Sequence, residues 1–242
     1  MSVLAFAGRN LKEIARDPSA FLILMALPVG LLLMLGTIGR NTGLSDFEIE
    51  ALAPGLAVFS LAFVALFGGT LLAGDRASSF LTRVLASPLS TTGLLVAYAL
   101  PLVALGLAQG VVCFVAAMFM GLELTANLLL ALVVLAPSAV MFVGIGLLLG
   151  SALSSSQVGA AASGLITFAT FVGGYWMDLA VLGDGFAAVA RMLPFVHAAD
   201  AARAAVTGDF GSIGGSLLWC AGYAIAVFAL SVVVFRRRSR AG

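Results

Sequence analysis

Asp75-Arg76-Ala77-Ser78-Ser79-Phe80-Leu81-Thr82-Arg83-Val84-Leu85-Ala86-Ser87-Pro88-Leu89-Ser90 is a charged island between two apolar runs, Leu52 to Ala73 before it and Leu94 to Met120 after it. Each run is long enough to cross a bilayer, which takes roughly 20 residues of helix at about 1.5 Å per residue. The island therefore reads as a segment outside the membrane joining two spans. Within it, Phe80, Leu81, Val84 and Leu85 recur at three-to-four-residue spacing against Asp75, Arg76, Thr82 and Arg83, the pattern of a short interfacial helix. Pro88 should end that helix, because proline lacks an N–H and restricts the residue before it.

The same length criterion, applied outward, predicts six spans: Ser19 to Ile38, Leu52 to Ala73, Leu94 to Met120, Leu128 to Gly150, Val158 to Met177 and Leu217 to Phe235. Hydrophobic residues make up 62% of the chain and charged residues 10%, with a mean hydropathy of +1.17. Soluble domains carry about 45–50% apolar residues, so a soluble fold is excluded. Continuous apolar runs exclude a barrel, whose strands alternate. The expected fold is an all-α polytopic membrane protein with an amphipathic helix over residues 1–18, a transmembrane domain over 19–235 and a basic tail over 236–242.

Charge sets the expected topology. With both termini on one side, Arg9, Lys12, Arg16, Arg76, Arg83, Arg236, Arg237, Arg238 and Arg240 share that side, leaving Arg40, Arg191 and Arg203 opposite. Nine against three satisfies the positive-inside rule, so both termini and the 75–90 island are expected in the cytoplasm, with the chain multi-pass in the cell inner membrane. The first span follows a charged segment and ends on Gly39-Arg40, so it is expected to be retained rather than cleaved as a signal peptide. Ahead of it, Leu4, Ala7, Leu11 and Ile14 form one apolar stripe, which predicts a helix lying along the leaflet until Asp17-Pro18 turns the chain inward.

Within the spans, Phe59, Phe63 and Phe67 recur at i, i+4, while Phe168, Phe171 and Tyr175 recur at i, i+3, i+7. Such stripes either line a path for an apolar substrate or serve plain packing and lipid contact. Gly106-x-x-x-Gly110, Gly146-x-x-x-Gly150 and Gly159-x-x-x-Ser163 predict close helix approach. Ser151 to Gln157 is a short polar turn between the fourth and fifth spans. Cys113 and Cys220 fall inside spans and read as buried free thiols.

Residues 178–215 hold two apolar stretches, Gly185 to Leu193 and Val196 to Val206, separated by Pro194 and each too short to cross. A re-entrant helix pair packed on the bundle is the expectation, since irregular backbone at membrane depth needs protein or water around its polar groups. Asp200 and Arg203 stand one turn apart and can pair, as a gate or as a simple surface ion pair. His197 reads as a polar interfacial residue.

Several functions lack their residues. The sequence has no Gly-x-x-x-x-Gly-Lys-Ser/Thr loop, and Lys12 is its sole lysine, so the chain supplies no phosphate-loop ATPase site. One His and no Cys pair at ligand spacing argue against a metal site. No Gly-x-Ser-x-Gly context supports an intramembrane hydrolase, so no catalytic residue is assigned. No basic domain suits nucleic acid. The absence of ionisable residues within the predicted spans weighs against a gradient-driven carrier.

Two stretches resemble the permeases of ABC-2 type transporters. The first is Asp75-Arg76, Arg83 and Ser87-Pro88, similar to the family's first cytoplasmic loop, with Ala77 and Ser79 standing where a second acid and a Gly are frequent. The second is Pro194, His197, Asp200, Arg203 and Gly208 before the last span. The resemblance, closest to the daunorubicin and multidrug-resistance branch, implies that residues 75–90 form a coupling helix and that 178–215 form an outer gate. It also implies a substrate pathway along the Phe59 and Phe168 stripes and export of a hydrophobic or amphipathic substrate. Partners so implied are two cytosolic ATP-binding cassette subunits, which bind ATP and Mg, and a second permease subunit. A gradient-driven carrier and a non-transporting membrane scaffold are the alternatives.

Overall fold

The computed structural model describes residues 3–16, 18–78 and 89–241, and every regular element among them is helical. In chain order these are α1 (Val3–Ala15), α2 (Pro18–Thr42), α3 (Ile49–Ala77), α4 (Thr91–Phe119), α5 (Ala126–Ala152), α6 (Ser155–Val172), α7 (Asp184–Ala190), α8 (Pro194–Thr207) and α9 (Phe210–Ala241), with short 3-10 turns at Ser45–Phe47 and Leu179–Leu182. Five of them, α2, α3, α4, α5 and α9, are long and apolar enough to cross a membrane. The sixth expected span corresponds to α6, whose 18 residues open on the polar Ser155-Ser156-Gln157.

Helix α3 is the axis of the bundle. It is apolar around its whole circumference, and from Leu52 through Ala62 every residue is buried, as all-round hydrophobicity requires. Helices α2, α4, α5, α6 and α8 all pack on it, and α9 packs on α5 and α8. Contact between α3 and α5 is close because Gly146 and Gly150 face Ala65 and Gly69: a Cβ on Gly146 would collide with the Ala65 carbonyl, and one on Gly150 would lie 2.6 Å from the Gly69 carbonyl. Gly106 and Gly110 similarly admit the Leu61 and Leu135 side chains. Gly159 differs, since a Cβ there meets nothing within 4 Å, and that small-residue face of α6 lies open.

The long helices alternate in direction, which produces two polar ends. One, here the terminal face, collects α1, the end of α3, Leu89-Ser90, Leu153-Ser154 and the last turns of α9. The other, the distal face, collects the α2–α3 and α4–α5 connections and residues 173–209. Leu153 and Ser154 alone join α5 to α6, and Gln157 accepts the Ser154 N–H at 3.2 Å, half of a capping box.

Four sequence expectations are corrected or refined. Helix α1, expected along the leaflet on the stripe Leu4, Ala7, Leu11 and Ile14, docks on α4: its protein-facing side is Phe6, Ala7, Asn10 and Ile14, while Leu4 and Leu11 are exposed. Phe6 meets the Tyr98 ring edge-on at 5.2 Å, and burying it contributes about 2 kcal/mol relative to exposure in water. Second, Asp75 and Arg76 do not belong to one helix spanning 75–90. They form the last turns of α3, which breaks at Ser78 where the backbone turns extended. Phe80, Leu81, Thr82, Arg83, Val84, Leu85, Ser87 and Pro88 lie outside the described residues, and Ser90 already caps α4 by accepting the Gly93 N–H at 3.0 Å. Third, α6, the fifth expected span, stops at Val172, so Tyr175 lies beyond it and off any α6 stripe. Finally, α9 starts at Phe210 rather than Leu217.

Candidate functional site

Each end of α3 is tied to its neighbours by arginines. At the terminal face, Asp75 is 7% exposed and accepts three hydrogen bonds from two side chains on two other helices. Arg9 Nη1 donates to Asp75 Oδ2 at 2.8 Å and Nη2 to Oδ1 at 3.3 Å, a bidentate pair, while the Tyr98 hydroxyl donates to Oδ2. Arg9 also pairs with Glu13 at 2.5 Å and donates to Asn10 Oδ1 at 3.1 Å. Fully buried Asn10 in turn donates to the Ala97 carbonyl at 3.3 Å, which fixes α1 on α4. Taking a carboxylate out of water is favourable only when its oxygens are met this fully.

Arg76, the next residue, reaches the other way. Its Nη1 donates to the carbonyls of Gly150 at 2.7 Å and Leu153 at 3.1 Å. The last carbonyls of any helix lack intrahelical donors and carry the negative end of its dipole, so a guanidinium at the α5 terminus satisfies both needs. Consecutive residues thus tie α1, α4 and α5 to the base of the 79–88 segment.

At the distal face Arg203, half-buried on α8, performs a related task with backbone partners. Nε donates to Ala51 O at 3.1 Å, and Nη2 donates to Tyr175 O at 2.9 Å and Gly174 O at 2.5 Å. The approach is possible because Gly55 has no side chain: a Cβ there would collide with the Tyr175 carbonyl and lie 2.9 Å from Arg203 Nη2. Arg203 Nη1 also faces Asp200 Oδ1, at a loose 3.7 Å with Asp200 half exposed. Pro194 opens α8 at its first turn, where a missing N–H costs nothing, and Gly208 closes it with φ 80°, a left-handed cap. The His197 ring donates from Nε2 to Arg191 O at 2.8 Å and stacks on Trp219 at 5.0 Å, which continues to Tyr223 at 5.9 Å.

The aromatic residues divide into two groups. Phe59 is buried and touches Phe63 at 5.2 Å, Tyr175 at 5.8 Å and Trp176 at 5.3 Å, so one cluster links α3 to the distal turn after α6. Phe67, one turn further along α3, is partly buried. Phe168 and Phe171 are 49% and 62% exposed on α6, and Phe168 meets only Phe195 of α8 among the ring contacts described. The structure therefore joins Tyr175 to the α3 stripe and leaves Phe168 and Phe171 on an outer surface.

Sequence reasoning did not find Arg9, Asn10 and Tyr98 as partners of the Asp75 cluster, nor Trp176 beside Phe59. Their one signal was an isolated polar group in an apolar setting, Asn10 between Ala7 and Ile14 and Tyr98 within the third predicted span. Among family models, the one described as ABC-2 type transporter matches residues 1–207. No curated protein matches the sequence.

Proposed function

The chain belongs to the ABC-2 type transporter family, as the membrane component that works with an ATP-binding partner, and from that premise we propose that it couples ATP hydrolysis to export of an amphipathic substrate. In this reading the terminal face is cytoplasmic, in the inner membrane. Two ATP-binding subunits, carrying ATP and Mg, dock on the stretch from Asp75 to Pro88, and two copies of the permease enclose the pathway. Phe63 and Phe67 of α3, both partly exposed, belong to its apolar wall, with Phe59 and Tyr175 packed in the core beside them. Phe168 and Phe171, exposed on α6, complete that wall from the side facing the second copy. Pro194, His197, Asp200, Arg203 and Gly208 belong to the outer gate.

The observation that carries this reading is the double tie at the base of the docking stretch. Asp75 and Arg76 bind α1, α4 and α5 to the end of α3, so a push delivered to residues 79–88 moves four helices as one body. Rigid-body rocking of that kind opens one face while closing the other.

The structure also changes which substitution tests it. Arg76→Glu would strip the α5 terminus of its donor and disturb folding as well as coupling, whereas Arg83 and Ser87 make the cleaner probes. In proteoliposomes containing the permease and its ATP-binding partner, Arg83→Glu should abolish substrate export while leaving basal ATP hydrolysis and the amount of folded permease unchanged. Export and stimulated hydrolysis at wild-type levels in that variant would remove the coupling assignment. Export that persists without nucleotide but collapses with an ion gradient would point instead to a secondary carrier.

A further inference from the structure

The distal face holds a cleft of about 350 Å³ beside the gate residues Asp200 and Arg203. Trp176 and Met177 supply its apolar wall, and Asp178, Arg191, Asp200 and Arg203 its charges. Two guanidinium groups and two carboxylates make the lining neutral in sum yet strongly polar in detail. Their engagement with the protein is unequal. Arg203 is committed to the Ala51, Gly174 and Tyr175 carbonyls. Arg191 is exposed and makes no hydrogen bond or ion pair through its side chain among the described residues. Asp178 uses Oδ1 to cap the Ala180 N–H at 2.9 Å, and its second oxygen has no hydrogen bond among them. Asp200 has half its side-chain surface open, yet neighbouring atoms displace enough water to push its carboxyl above the usual carboxylate range, against the opposing charges of Arg203, His197 and Arg191. The cleft thus offers a cation and two carboxylates with unused capacity around one indole.

We propose that this cleft is a head-group site for amphiphiles that carry both a cationic and an anionic group. The anion pairs with Arg191, and the cation sits between Asp178 and Asp200 against Trp176, with Met177 beside it for the apolar body. A ligand with one charge alone leaves the opposite lining charges unmatched, so the preference is for the zwitterion over either ion. This deepens the proposed function by naming the substrate class, and it rests on that reading.

The chain has two tryptophans, so Trp219→Phe leaves Trp176 as the single fluorophore in the cleft. That variant, purified full length into phosphatidylglycerol nanodiscs, is titrated with dodecylphosphocholine, dodecyl phosphate and dodecyltrimethylammonium, each below its micelle concentration. Dodecylphosphocholine should give a saturable change in Trp176 emission at a concentration about tenfold lower than either single-charge amphiphile, the effect of one lost charge-assisted contact. Arg191→Gln should erase the preference over dodecyltrimethylammonium, and Asp178→Asn the preference over dodecyl phosphate, both being exposed positions whose loss leaves the packing intact. Equal half-saturation for all three heads, an absence of saturation, or selectivity unchanged by both substitutions would each overturn the proposal. The binding assay contains no ATP-binding subunit. Selectivity here with no nucleotide-driven export removes the transport reading alone, and export without selectivity removes only the head-group site.

Discussion

Arg9 and Arg203, at opposite ends of α3, hold it in opposite ways. At the terminal end Arg9 meets a buried carboxylate that also takes the Tyr98 hydroxyl, so three side chains must be present together. At the distal end Arg203 meets three backbone carbonyls, which are present whatever the side chains are. A charge–charge tie is strong while complete and costly when halved, because the remaining ion is buried alone. A charge–backbone tie loses only hydrogen bonds. The Asp75 cluster is thus an all-or-none joint between α1, α3 and α4, and the Arg203 contacts a graded clasp on the backbone at residues 51, 174 and 175.

Substitutions test that contrast in order of effect. Arg9→Met leaves Asp75 buried with Tyr98 as its only side-chain donor among the described residues and should cost about 3 kcal/mol of stability, read as a large fall in unfolding temperature in detergent. Adding Asp75→Leu should recover part of the loss, and a double variant no better than the single one would show that Asp75 is not a stranded charge. Arg203→Met should cost about 2 kcal/mol, and its effect should be local, appearing as faster amide exchange over residues 174–177 with the terminal face unchanged. Global destabilisation by Arg203→Met equal to that of Arg9→Met would erase the distinction between joint and clasp. Asp200→Asn should change stability by less than about 0.5 kcal/mol, since its 3.7 Å pair is loose and half exposed.

Much of the architecture was legible from the chain because span length and hydropathy are local properties. The four apolar runs from Leu52 to Gly150 and around Leu217 lie within long helices, and the break at Pro194 separates α7 from α8. The aromatic stripe from Phe168 to Tyr175 was misread because periodicity assumes that a helix continues. Gly173 and Gly174, the latter with φ 57°, end α6 and turn Tyr175 back onto Phe59. The 75–90 island was read as one helix for a similar reason: its amphipathic spacing is genuine, but α3 runs on through Ala77 before Ser78 breaks it.

By itself the sequence determined that this protein is helical and resides in a membrane, where its polar island falls, and which two stretches carry its family likeness. Those properties follow from runs and spacings within a few turns of helix. The tertiary structure alone decided what Asp75, Arg76 and Arg203 do. Their partners lie 66, 74 and 152 positions away along the chain. No local pattern encodes which carbonyl or carboxylate packing will bring to a guanidinium, and burial then makes that choice binding, because a polar group without its partner is costly inside the bundle.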